Sequence, residues 1–145
     1  MALPVARLLP DAHGTRTMQR SCISYRVPYA DTDQMGVVYY ANYLVYFERV
    51  RSEILRDIGF PYTVMEARGL MLPVVEAHCD YKTPAHYDDL LSISGWLAEA
   101  RGVRLRVACE VHRGDTLIAS GYSVHACMRA DTRKPTRLPD ELRPS

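Results

Sequence analysis

The sequence predicts an α+β domain in which a mainly antiparallel sheet of five strands packs on one long helix, and two patterns carry that reading. Apolar residues recur at three- and four-residue steps across one long stretch, positions 42–58, whereas after Gly69 the period changes to two and stays there. An extended segment ahead of the helix brings the strand count to five. The 145 residues, 48% hydrophobic and 24% charged, suit a single domain with its own core and leave no room for a second.

Taken in order, residues 1–20 hold Pro4, Pro10 and Gly14 without periodicity and are expected to form a poorly ordered leader. Cys22 to Tyr29 is rich in Ile, Val and Tyr, and Pro28 marks an edge or a strand end. It leads into the acidic loop Asp31-Thr32-Asp33. Tyr43, Tyr46, Phe47, Val50, Ile54 and Ile58 form the apolar stripe of the helix, with Asn42 as its N-cap and Gly59-Phe60-Pro61 as its stop. A shorter helix is expected at Tyr62 to Ala67. Val75, Ala77, Cys79 and Tyr81 alternate with Glu76, His78 and Asp80, which describes a half-buried strand. Leu91, Ile93, Gly95 and Leu97 repeat the alternation weakly, and Val103, Leu105, Val107, Cys109 and Val111 repeat it most cleanly. Arg113-Gly114-Asp115 reads as a hairpin turn into Thr116 to Met128. The folded body therefore spans 21–131, and residues 132–145, with Pro135, Pro139 and Pro144, read as an irregular tail.

One helix covers five strands incompletely and leaves an outer strand unpaired, so pairing with a second subunit is expected. A net charge of +1 gives no broad field for nucleic acid or an anionic membrane, and the ten tyrosines have no basic face beside them. No apolar run approaches the ~20 residues of a membrane helix. Cys22, Cys79, Cys109 and Cys127 form no CxxC pair and read as buried thiols of a reduced compartment, hence a soluble cytoplasmic protein. His13, His78, His86, His112 and His125 lack zinc-motif spacing and read as strand-surface or hydrogen-bonded groups. No metal is expected. There is no GxSxG, P-loop or dinucleotide fingerprint.

The chemistry concentrates where the first strand ends and the helix begins. Asp31 and Asp33 stand there two residues apart, ahead of Gly36. They can be turn-forming or capping groups. Alternatively, the unpaired N–H groups at the helix start stabilise an oxyanion, and a carboxylate on the preceding loop attacks the polarised carbonyl or activates a water to do so. The residues alone leave both readings open.

Asp31-Thr32-Asp33, Gly36-Val37-Val38-Tyr39 and Asn42-Tyr43, continuing into Tyr46-Phe47-Glu48-Arg49 and Arg51, resemble the 4-hydroxybenzoyl-CoA thioesterase family, including its Tol-Pal-associated branch. Leu72-Pro73-Val74-Val75 and Tyr87-Asp88-Asp89-Leu90 extend the likeness over about residues 22–130. The resemblance implies a hotdog fold, with the sheet wrapped around the helix, and dimers joined edge to edge that pair further into a homotetramer. It also implies hydrolysis of an acyl-CoA thioester with no cofactor, coenzyme A being part of the substrate. The catalytic aspartate falls on Asp33, Asp31 being structural, and the main-chain N–H that polarises the thioester carbonyl falls on Tyr40. Many relatives of the Tol-Pal branch carry histidine at that position, so an imidazole role does not transfer. Gly36 falls in the substrate loop. Glu48 matches an acidic position that faces the ring hydroxyl in the aromatic-substrate enzyme, or else is a helix charge paired with Arg51 or Ser52. Leu72 matches a position near the acyl group, where a larger apolar residue favours a short or medium aliphatic chain. Arg101 and Arg104 match a basic strand junction at the nucleotide end of CoA, where cations meet the phosphates; Arg104 reads equally well as a solvent-facing strand arginine. The alternatives are a hotdog dehydratase, which needs a catalytic histidine in this loop, and a non-catalytic acyl-CoA-binding or scaffold protein.

Overall fold

The computed structural model describes residues 20–143, so the expected leader and His13 lie outside the described residues, Arg20 excepted. The helix α1 (Asn42–Asp57) and a short α2 (Tyr62–Ala67) follow the first strand, β1 (Arg20–Arg26). Then come β2 (Leu70–Met71), β3 (Val74–Tyr81), β4 (Leu90–Arg101), β5 (Arg104–Arg113), β6 (Thr116–Ala126) and β7 (Met128–Arg129). Five of the strands form one sheet in the order β1-β4-β5-β6-β3, antiparallel at every step. The two-residue strands β2 and β7 make a separate small ladder, too short to leave a periodic trace in the sequence.

The apolar stripe explains where α1 lies. Tyr43, Tyr46, Phe47, Val50, Ile54 and Leu55 are buried, and the helix touches all five strands of the main sheet. The sheet accommodates it with a cross-strand row of small residues, Gly95, Cys109, Gly121 and Cys79, on adjacent strands. A Cβ on Gly95 would stand 3.1 Å from Val50 Cγ1, and one on Gly121 only 2.8 Å from Phe47 Cε2 and 2.0 Å from the His78 carbonyl oxygen. Interiors pack too densely to absorb such contacts, so these two glycines set how closely helix and outer strand approach.

Four expectations need correction. Asn42 is the first residue of α1 and not its cap; Ala41 takes that place. The Leu44 N–H that an Asn42 cap could hold bonds the Ala41 carbonyl instead, and the Asn42 side-chain amide donates to the Asp31 carbonyl at 2.9 Å. The alternating strand β3 is not half-buried: every residue except Cys79 is exposed, because the strand is outermost and borders β6 alone. Packing also continues past residue 131. The tail backbone is irregular, but Leu138 and Leu142 belong to the core and the Leu138 N–H bonds the Gly102 carbonyl. Finally, only Cys109 and Cys127 are buried; Cys22 and Cys79 lie on the two edge strands and stay half-exposed.

Candidate active site

The loop between β1 and α1 is pinned by Asp31. Its Oδ2 accepts the Tyr25 hydroxyl at 2.6 Å and the Tyr46 hydroxyl at 2.7 Å, and its carbonyl accepts the Tyr39 N–H. One residue thereby ties the last part of β1 to the first turns of α1. Burial first, then the hydrogen bond and charge of Asp31, pushes Tyr25 up to about 12, and the same causes raise Tyr46 further.

Asp33 is held differently. Its N–H donates to the Val37 carbonyl, its carbonyl accepts the Gly36 N–H, and its Oδ1 accepts the Met35 N–H at 2.9 Å. Gly36 closes this turn with φ of +79°, a conformation that side chains other than glycine rarely adopt. The turn is fixed by its own backbone, and Oδ2 of Asp33 has no protein partner among the described residues. The half-buried carboxylate lines a cavity of about 270 Å³ with Val38, Tyr40, Tyr43 and Tyr81.

Tyr40 stands just before α1, and neither its N–H nor that of Ala41 meets a protein acceptor among the described residues. Its carbonyl accepts the Tyr81 hydroxyl at 3.1 Å, and the two rings meet edge to face. Burial raises Tyr43 to about 12, and Tyr81, although half its surface is exposed, reaches about 12 through partial desolvation of its hydroxyl and the neighbouring Cys79, so both are neutral donors at physiological pH. A carboxylate with a free oxygen thus lines an aromatic-walled cavity together with Tyr40, whose N–H is unpaired at the positive end of a helix. Such a pairing suits attack on a carbonyl whose oxygen becomes an anion.

The profile of the thioesterase-like superfamily matches residues 27–144. The chain belongs to this superfamily. The hotdog fold expected from the resemblance stands with that membership, and thioester hydrolysis stands with it and with the curated relatives. Among curated relatives, the acyl-CoA thioesterase YbgC of Haemophilus influenzae is 34% identical over 119 residues, 81% of this chain and 88% of that protein. The crystal structure of a DHNA-CoA thioesterase from Staphylococcus aureus superposes with a TM-score of 0.78 at 31% identity, covering 82% of this chain and 80% of that one. A 4-hydroxybenzoyl-CoA thioesterase mutant superposes with a TM-score of 0.77 over 85% of this chain and 95% of that one; at 21% identity it speaks for the fold alone.

Within this thioesterase the remaining site residues disperse. Gly36 shapes the Asp33 turn, whereas Glu48 lies farther along α1, exposed, on a second cavity; among the described residues it pairs with neither Arg51 nor Ser52. Leu72 packs against the core, and its carbonyl accepts Nδ1–H of His125 at 3.0 Å. Arg101 and Arg104 face each other across the β4–β5 turn. The Leu90 end of β4 pairs with Arg26 beside the acidic loop, so these arginines stand a strand length away, roughly 35 Å for 12 residues. Within one chain they do not share the Asp33 cavity. Among the described residues no group of three His, Cys, Asp or Glu side chains is arranged to hold a metal ion, and no helix is long and apolar enough to cross a membrane.

Sequence reasoning gave no role to the Arg51, Ser123 and His125 cluster. The signal was present: Ser123 and His125 follow Ala119 and Gly121 at two-residue steps, on the strand face that alternation reserves for apolar side chains.

Proposed function

We propose that this chain hydrolyses an acyl-CoA thioester to a free acid and CoA. The observation that carries the reading is the free Oδ2 of Asp33 in one cavity with the unpaired N–H of Tyr40. The thioester carbonyl oxygen accepts the Tyr40 N–H and, as its charge grows, gains from the helix terminus. Asp33 either attacks the carbonyl carbon and expels the CoA thiolate, leaving a mixed anhydride that water then cleaves, or takes a proton from the attacking water. In both routes one water is consumed and the acyl–sulfur bond breaks. Coenzyme A enters as part of the substrate, and neither route calls for a cofactor. The relatives, acyl-CoA and DHNA-CoA thioesterases, support the substrate class. A short or medium aliphatic chain is the first acyl group to try, because Leu72 fills the family position near it.

The assembly in this reading is a homodimer joined along β3, two of which pair into a tetramer. Support comes from the exposed edge of β3 with its uncovered Val74, Val75 and Tyr81. In a two-fold antiparallel pairing, the Tyr81 end of one strand meets the Val74 end of the other. The partner's copies of Glu48, Arg101 and Arg104 then come toward the Asp33 cavity, which would give these residues their proposed contacts with the acyl group and the CoA phosphates. The four unpaired cysteines fit a reduced, cytoplasmic setting.

An acyl-CoA panel read by thiol release tests the proposal. Wild type is expected to turn over part of the panel and Asp33→Asn almost none of it. Equal turnover by the variant would remove Asp33 from the chemistry, and tight binding without turnover by wild type would instead favour the acyl-CoA-binding alternative.

A further inference from the structure

Glu48, which the proposed dimer brings toward the partner's Asp33, lines a second cavity of about 240 Å³ between α1 and the start of β3, whose other polar groups the hydrolytic reading leaves unused. Leu44, Phe47 and Val74 supply apolar wall; Glu48, Arg51 and Ser123 supply the polar groups. Ser123 is 4% exposed, and His125 behind it is 1% exposed. Their hydrogen bonds run in one direction only. The Leu72 carbonyl can only accept, so Nδ1 of His125 carries a proton. Burial holds the imidazole below its usual pKa, with the charge of Arg51 acting in the same sense against the Leu72 hydrogen bond, so the ring is neutral and Nε2 accepts. The Ser123 hydroxyl therefore donates to Nε2 at 2.8 Å, and its oxygen accepts from Arg51 at 3.2 Å.

Arg51 also donates Nε–H to the Tyr62 hydroxyl at 2.9 Å. Among the described residues it forms no ion pair, although Glu48 lies one turn away on the same cavity. A guanidinium has five N–H donors, and these contacts satisfy two. The others give the cavity a surplus of donors on a half-buried cation. A plain hydrocarbon would strip water from that cation and return nothing, which is costly in an apolar pocket. A phosphate group fits poorly, since it would bring its charge beside the Glu48 carboxylate.

We propose that, across the dimer, this cavity takes the acyl part of the substrate held at the partner's Asp33 and that Arg51, oriented by Ser123 and His125, selects acyl groups carrying a second oxygen that accepts a hydrogen bond. The inference rests on the hydrolytic reading and adds the specificity that reading lacks.

The test compares, at equal chain length, CoA thioesters whose acyl group is plain or carries a ketone or a hydroxyl. Wild type is expected to favour at least one oxygen-bearing substrate about tenfold or more in kcat/KM. The winning arm names the acceptor. In Arg51→Met that ratio should fall towards one, and Arg51→Lys should restore part of it, which a merely structural role for Arg51 would not produce. If Arg51→Met fails to fold, the wild-type ratio and the lysine variant still decide. Equal or better turnover of the plain substrate by wild type, or a preference that survives Arg51→Met, would overturn the inference while leaving hydrolysis intact. Turnover of no acyl-CoA at all defeats the hydrolytic reading and this one with it.

Discussion

Asp31 and Asp33 occupy one loop two residues apart, yet they face opposite surroundings. One oxygen of Asp31 is held by two tyrosine hydroxyls from β1 and α1, and its backbone holds the entrance to the helix. Asp33 makes only contacts within its own turn and keeps an oxygen free toward a cavity. The difference shows how a fold assigns roles to identical side chains. The carboxylate tied through Oδ2 to two long-range partners anchors the loop, and the one held only within its own turn lines a cavity. In the proposed mechanism, positioning and chemistry are separated by a single residue.

That contrast can be broken in order of expected effect. Asp33→Asn should lower kcat by about 100-fold or more, with a melting temperature close to wild type, as circular dichroism would show. An equal loss of stability in this variant would mean that Asp33 is an anchor too. Asp31→Asn should do the reverse, costing about 1.5 kcal/mol or more in denaturant unfolding through weakened charge-assisted hydrogen bonds. Its residual turnover should exceed that of Asp33→Asn by at least an order of magnitude, and a ratio near one would erase the distinction between the two acids.

Tyr46→Phe should be milder, about 1 kcal/mol, because it removes one of the two donors to Asp31 and leaves the ring in the core. The smallest effect is expected on the alkaline side. Tyr25 is raised from 10 to about 12 in the folded state, so its contribution to stability is complete below pH 10 and is lost as pH rises through about 12. Melting temperature measured across that window should fall less steeply in Tyr25→Phe than in wild type. Parallel curves would mean that Tyr25 titrates alike in the folded and unfolded chain.

Much of the fold was legible because its periodicities are local. The helical stripe over 42–58 and the shorter helix at 62–67 follow from side chains three and four residues apart, and the strands follow from alternation. Local pattern misled where burial depends on neighbours distant in sequence. β3 alternates like a half-buried strand but lies at an edge, and Leu138 and Leu142 look like tail residues while filling the core. Asn42 looks like a cap because short polar side chains cap helices, but here its amide serves the loop instead.

By itself the sequence determined the elements, the loop that carries Asp33 and the resemblance that pointed to thioester hydrolysis, because each resides in residues close along the chain. Only the tertiary structure decided which aspartate is tethered, since Tyr25 and Tyr46 reach Asp31 from separate elements. It alone brought Arg51 to Ser123 and His125 across 72 residues of chain. Hydrogen-bond partners and exposure belong to pairs of segments, and no single segment of sequence encodes them.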